Sequence, residues 1–226
     1  MYSILKSILP DSYKNKLWKL TIRLIRKKLV DQDNRMPKNV YQKIHVQNLK
    51  PLLNRFELLD CLPKNAIVAE LGVNKGDFSK EIIDRTMPKK LHLVDIWNTK
   101  RYHEGLKNEV EIKFAKEIET GQVQINIGLS TEVVDQFPDN YFDWIYIDTE
   151  HSYNVTKAEL EMYAKKMKPG GIISGHDYIN GIWINLTRYG VIEAVSEFCN
   201  KSNWELIYIT MDYTEPPSFA LRKINQ

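Results

Sequence analysis

Ala66-Ile67-Val68-Ala69-Glu70-Leu71-Gly72-Val73-Asn74-Lys75-Gly76 is the stretch whose reading decides the fold. Its first six residues are short and largely apolar, as a buried strand should be. A glycine-bearing turn follows, and then a pattern that predicts a helix over 76–85. Moving outward, the same alternation repeats. Strands are expected over 91–95, 123–127, 142–148 and 171–174. Helices are expected over 103–119, from near Ser130, over 155–167 and over 191–200. Two closing strands, near 206–211 and 218–222, follow one another through a turn-rich stretch and imply a hairpin with an antiparallel edge. The fold class is α/β: a doubly wound, mostly parallel, seven-stranded sheet with helices on both faces.

Upstream of that stretch a helix is expected over 40–62, interrupted at Pro51, and a polar linker over 31–38 containing Pro37. Residues 11–30 form an amphipathic basic helix. Trp18, Ile22, Ile25 and Leu29 recur at helical spacing, while Lys16, Lys19, Arg23, Arg26 and Lys27 fall on the other side. Residues 1–30 carry eight Lys/Arg and one acid, a sum of +7, so the rest of this +3 chain sums to −4. The basic character belongs to that segment, not to a groove running over the whole protein. Domains are therefore expected at 1–38, the basic helical segment and linker, and at 39–226, the α/β domain. The helix suits peripheral contact with an anionic membrane, or packing on its own domain or on a second subunit in a homo-oligomer.

Of the 226 residues 43% are hydrophobic and 27% charged, an ordinary soluble balance. Two cysteines, Cys61 and Cys199, exclude a disulfide scaffold and are expected as reduced, buried small hydrophobes in a cytoplasmic setting. No run approaches the ~20 apolar residues of a membrane span, and no secretory signal is expected.

In such sheets ligands bind beyond the carboxyl ends of the strands, where the strand order reverses. The turn Gly72-Val73-Asn74-Lys75-Gly76 lets backbone approach a ligand, but it lacks the three-glycine spacing of a dinucleotide fingerprint. Glu70 before it would repel a pyrophosphate and suit a ligand carrying a cation. Asp95, ending the next strand with Ile96 and Trp97 behind it, is placed to accept both ribose hydroxyls. Trp97 is equally readable as an adenine stacker or as core. Gly128-Leu129-Ser130 suits the edge of an adenine ring, and Ser130 also reads as a helix N-cap. His92 is expected as a packed strand residue. Residues 178–185, with Gly181 and Trp183, read as a mobile rim.

With these pieces in order, the chain over roughly 60–225 resembles the class I S-adenosylmethionine-dependent methyltransferases. Within them it is most similar to the metal-dependent O-methyltransferases that act on sugar and macrolide hydroxyls, and to the catechol type. The motifs are Ala69-Glu70-Leu71-Gly72 through Gly76, Asp95, Gly128-Leu129-Ser130, Asp148-Thr149-Glu150-His151, Lys168-Pro169-Gly170-Gly171 and Gly175-His176-Asp177-Tyr178. The resemblance implies S-adenosylmethionine as cofactor, bound by Glu70, Gly72, Val73, Asn74, Gly76, Asp95, Ile96, Trp97, Gly128, Leu129, Ser130 and Asp148. It also implies a divalent cation, Mg²⁺ or Mn²⁺, held by Asp148, His176 and Asp177. His176 departs from the oxygen ligand usual there, and an imidazole admits a transition metal more readily. His151, three residues after Asp148, stands where the catechol type has a lysine base and can do that work near neutral pH. The expected activity is methyl transfer to a hydroxyl of a small molecule, sugar or glycan. The rival readings are a non-methylating relative, hydroxylase-like or merely cofactor-binding, and a nucleic-acid binder working through the basic helix. The second has no aromatic-interleaved basic stripe to support it.

Overall fold

The computed structural model describes residues 10–182 and 186–224. Ten strands are present among them: β1 (Lys50–Leu52), β2 (Ile67–Leu71), β3 (Lys90–Asp95), β4 (Val123–Ile127), β5 (Phe142–Ile147), β6 (Met167–Gly175), β7 (Gly181–Ile182), β8 (Thr187–Arg188), β9 (Trp204–Thr210) and β10 (Phe219–Lys223). The helices are α1 (Asp11–Asn34), α2 (Arg55–Cys61), α3 (Asp77–Thr86), α4 (Glu104–Lys113), α5 (Ala115–Glu119), α6 (Ser130–Val133), α7 (Tyr153–Tyr163) and α8 (Val191–Ser202).

The main sheet has the order β1-β9-β10-β6-β5-β2-β3-β4 and is parallel except for β10, which runs antiparallel to both its neighbours. The expected α/β architecture is present, with eight strands rather than seven. The closing hairpin is present too, but β10 inserts between β6 and β9, so the antiparallel strand lies inside the sheet and β1 forms that margin.

The extra strand corrects the helix expected over 40–62. Pro51 lies in β1, where Lys50, Pro51 and Leu52 pair with Tyr208, Ile209 and Thr210. Proline has no amide hydrogen and its ring clashes with a preceding helical turn, so the segment takes extended backbone instead. A 3₁₀ turn covers Lys43–His45, and His45 is buried against the Trp204 carbonyl, 2.7 Å from Nδ1. The helix begins only after Asn54, whose side chain accepts from the amides of Phe56 and Glu57, both at 3.0 Å.

Both sheet faces are covered. On one, Ala69, Leu71, Ile145, Ile147 and Ile173 pack under Leu160 and Tyr163 of α7 and Val195 and Phe198 of α8. On the other, Val68, Leu91, Leu93 and Trp144 pack under Leu58 and Leu59 of α2, Phe78 and Ile82 of α3, and Phe114. The helix expected over 103–119 is divided at Phe114, whose φ of −113° and ψ of 24° leave the helical range. Its ring turns inward and is buried. Cys199 is buried as expected, whereas Cys61, on the outer side of α2, is exposed. No helix among the described residues is long and apolar enough to cross a membrane.

Candidate active site

The chain runs from β2 through β3 to β4 on one side and then crosses to β5 and β6 on the other, so the strand order reverses between β2 and β5. The glycine turn sits at that reversal. Gly72 has φ +89°, and a Cβ built there would stand 2.0 Å from the Asp148 carbonyl oxygen. The ends of β2 and β5 thus approach as closely as a bare backbone allows. The Asp148 amide donates to the Leu71 carbonyl (2.7 Å) and the Gly72 amide to Val94 (2.8 Å), which ties the turn to the strands on both sides.

Asp95 lies against this turn. Its Oδ2 accepts from the amides of Val73 (2.7 Å) and Asn74 (2.9 Å), and its Oδ1 from those of Ile96 (2.6 Å) and Trp97 (3.3 Å). The carboxylate therefore shapes the turn as well as facing it. Trp97 is buried and donates its indole N–H to the Asn74 carbonyl at 2.8 Å. Of its two readings the structure supports core, with the ring serving as a brace for the turn.

Glu70 is 1% exposed and accepts a short hydrogen bond from Ser79 of α3. Burial pushes its pKa up to about 8, only partly offset by the Ser79 bond. In this structure the side chain is tied to α3 and not free to attract a ligand cation. A carboxyl whose folded pKa lies above its unfolded value holds a proton that the unfolded chain has lost. Stability then falls as pH rises from the unfolded pKa near 4.5 to about 8. Replacing Glu70 with Gln should flatten that part of the profile. Urea denaturation at pH 5 and pH 8 should show wild type losing more stability than the variant, by a few kcal/mol on the order of magnitude. Parallel profiles would place the burden elsewhere.

Ser130 is the first residue of α6 and not its cap as expected, that position being Leu129. Its Oγ instead donates to Glu159 Oε1 (2.5 Å), which also accepts from Thr149 (2.7 Å). Glu159 is fully buried, and burial raises its pKa to about 7 against the pull of those two donors. It links the ends of β4 and β5 from α7. Gly128 (φ +148°) and Leu129 precede Ser130. Leu129 is exposed, and the Gly128 amide donates to the Asp95 carbonyl at 3.0 Å.

Across the reversal, Ile147 pairs with Gly175, so Asp148 and the pair His176-Asp177 emerge from adjacent strand ends as expected. His151 Nε2 is 3.0 Å from Asp177 Oδ2. His176 Nδ1 is 3.6 Å from Asp177 Oδ2 and 3.9 Å from Asp148 Oδ1, while its Nε2 is buried without a partner. Ligand atoms of Asp148, His151 and Asp177 lie within 4.8 Å of one another. Two carboxylates and one imidazole at that spacing fit a divalent cation. The imidazole in this group is that of His151, not that of His176 as expected.

The charges in the cluster are unequal. Burial raises the Asp148 pKa, opposed by His176. Burial also acts to raise Asp177, but the neighbouring His176 and His151 imidazoles outweigh it and hold that carboxyl below its usual value. His176 is lowered by burial and raised more strongly by Asp177 and Asp148, for a net rise.

Several side chains at this rim were not foreseen. The Tyr189 ring lies 4.7 Å from that of His151, and the Gly190 amide donates to the His151 carbonyl. Arg55, at the start of α2, packs its guanidinium 4.8 Å over Phe78 and pairs with Glu215 at 3.0 Å. Its charge reaches Glu70, Asp148, His176 and Asp177. Glu159 had a readable signal. Thr156, Glu159, Leu160 and Tyr163 form the buried stripe of α7, and an acid within such a stripe marks a polar contact. The stretch expected as a mobile rim is partly anchored: the Tyr178 hydroxyl meets that of Tyr41 at 2.9 Å, and β7 pairs with β8. Trp183 lies outside the described residues. His92 is packed as expected, between Asn126 and Tyr141.

Residues 69–178 match the family model of a methyltransferase domain. No curated protein matches the chain. Among solved structures, the O-methyltransferase TomG of Streptomyces achromogenes, involved in tomaymycin synthesis and solved with S-adenosylmethionine, is 13% identical. The match covers 76% of this chain and 80% of TomG with a TM-score of 0.57. The B. subtilis m1A22 tRNA methyltransferase TrmK is 14% identical, covering 77% and 67% with a TM-score of 0.55. The pyocyanin biosynthetic protein PhzM is 13% identical with a TM-score of 0.56; the match covers 76% of this chain but spans only 55% of PhzM. Residues 69–178 thus match a methyltransferase domain, and the chain shares the Rossmann-like fold of these solved structures.

Proposed function

We propose that this chain is a methyltransferase that uses S-adenosylmethionine to methylate a hydroxyl group, that of a sugar or glycan, a reading supported by the methyltransferase-domain match over residues 69–178. One observation carries the reading. Asp95 grips the glycine turn at 2.7 Å on one side of the strand-order reversal, and Asp148, His151 and Asp177 converge within 4.8 Å on the other. The glycine turn that would take adenosine and the acid–imidazole cluster therefore flank the same strand-order reversal.

The residues that would hold the cofactor are Gly72, Val73, Asn74 and Gly76 in the turn, Asp95 and Ile96 after β3, Gly128, Leu129 and Ser130 after β4, and Asp148. Asp148, Asp177 and His176 would hold a divalent cation. Bound there, the cofactor supplies an electrophilic methyl group and the cation lowers the pKa of an acceptor hydroxyl. Asp177 holds His151 through Nε2, and the Tyr189 ring limits its tilt. That leaves Nδ1 of His151 to take the acceptor's proton, as oriented imidazole bases do. A preformed turn and a braced imidazole keep the reacting groups in line, which is the main contribution a protein makes to a displacement at carbon. The sugar preference rests on the resemblance of Asp148-Thr149-Glu150-His151 and His176-Asp177 to the sugar and macrolide group.

The test is calorimetry with S-adenosylmethionine on wild type and Asp95→Ala, then release of S-adenosylhomocysteine with a panel of hexosides in Mg²⁺ and in EDTA. Asp95→Ala should weaken cofactor binding by about tenfold or more, since hydrogen bonds to a charged group and the shape of the turn are lost together. Turnover should stop in EDTA. Binding untouched by the substitution removes the ribose role, and full turnover in EDTA removes the cation.

A further inference from the structure

We propose that α1 docks this protein on an anionic lipid surface, lying in the headgroup region with its apolar rows inward. The helix has 24 residues and buries none of them. At 1.5 Å per residue it is about 36 Å long. Only its carboxyl half leans on the domain. Ile25, Leu29 and Gln32 form a half-buried stripe there, followed past the helix end by Met36, and Asp33 pairs with Arg188 at 3.1 Å. The same stripe continues toward the amino end as Ile22 and Trp18, where the domain no longer covers it. Beside it runs a second apolar row, Tyr13, Leu17, Leu20 and Leu24. These six side chains are between 44% and 63% exposed. Two such rows of large, exposed apolar groups along one helix mark a contact surface.

Charge selects the occupant. Lys16, Lys19, Arg23, Arg26 and Lys27 occupy the opposite arc, and Lys14 and Lys28 stand between the two apolar rows. Among the described residues Lys14 alone of these seven has an acidic partner, Asp11 at 3.0 Å. A second copy seated on the same face would bring Lys14 and Lys28 of both chains into the apolar contact, and would leave the other five charges unanswered. An anionic bilayer neutralises them, and basic side chains flanking an apolar face are what an interfacial helix requires. Tyr13 and Trp18 are the aromatic types that settle at the headgroup level. The helix is too charged to span, which leaves the interfacial position.

The test is flotation of the full chain with vesicles of phosphatidylcholine alone and of phosphatidylcholine with phosphatidylserine. Binding is expected to the anionic vesicles, at least about tenfold weaker to the neutral ones, and lost in high salt. Changing Lys19, Arg23 and Arg26 together to Gln should weaken partitioning on the order of a hundredfold. Leu17→Ser with Leu24→Ser should weaken it about tenfold or more. All five positions are exposed, so thermal melts should stay at the wild-type value. Failure to bind anionic vesicles overturns the proposal, as does wild-type binding by both variants. A dimer seen by light scattering that the leucine substitutions dissolve, with no vesicle binding, assigns the face to a second copy instead. Neither result depends on the methyl-transfer reading.

Discussion

Replacing His151 with Gln should lower the turnover number by about 10²- to 10⁴-fold, the range that a positioned general base supplies. The affinity for S-adenosylmethionine should stay within about threefold of wild type, because the lost interaction belongs to the transition state and not to cofactor binding. Gln preserves much of the side chain's length and polarity, so packing against Tyr189 changes little. What it cannot do is accept a proton near neutral pH. Asp177→Asn should reproduce part of the loss, since it weakens the bond that orients the ring at 3.0 Å. Single-turnover release of S-adenosylhomocysteine at saturating cofactor and cation is the measurement. A His151→Gln enzyme within about fivefold of wild type would take His151 out of proton transfer and return it to the ligand group around Asp148 and Asp177.

The second large effect is structural. Gly72→Ala should destabilise the fold by roughly 3–5 kcal/mol and abolish cofactor binding. Two costs combine. The backbone at φ +89° is strained for any L side chain, and the new methyl would stand 2.0 Å from the Asp148 carbonyl oxygen. The obstructing atom is main chain at the end of a central strand. Moving it would strain the bond between the Asp148 amide and Leu71, 2.7 Å long, and displace Asp148 itself. Gly170→Ala separates the two costs. That residue has φ +77° with nothing within 4 Å of its virtual Cβ, so it bears the conformational term alone, about 1–2 kcal/mol. Urea denaturation of both variants checks the difference, and equal losses would mean that the β2–β5 contact relaxes freely.

The parts of the fold legible in the sequence were those with strong local periodicity. β2 to β5, α3 and α8 read directly, because apolar runs ended in glycine turns or acids at strand tips. α7 and β6 were expected too, but the helix stops at Tyr163 and the strand already begins at Met167, ahead of the expected turn. Residues 40–62 did not. Their apolar spacing fits a helix, but Pro51 and the Asn54 cap together split them into a strand and a short helix, and pairing with distant β9 stabilises the strand. Local pattern carries no information about that long-range partner. The candidate site divides along the same line. Asp95, Asp148, His151 and Asp177 were legible because each closes a strand or follows one closely. Tyr189 and Arg55 were not, since they come from a loop and a helix start whose places are set by tertiary packing. The likeness at Trp97 was ambiguous for the same reason. An indole beside a binding turn serves core and ligand equally in sequence, and its bond to Asn74 exists only in three dimensions.

The placement of Pro51 has a bearing on how these molecules meet one another. In a parallel ladder successive residues point their amides to alternate sides. The Leu52 carbonyl accepts from Met211 on the β9 side, so the ring nitrogen of Pro51 faces outward. A strand from a neighbouring molecule would find no donor at the middle of this three-residue border. The margin is thereby guarded against edge-to-edge growth into aggregates, and self-association of this chain has to proceed through some other face.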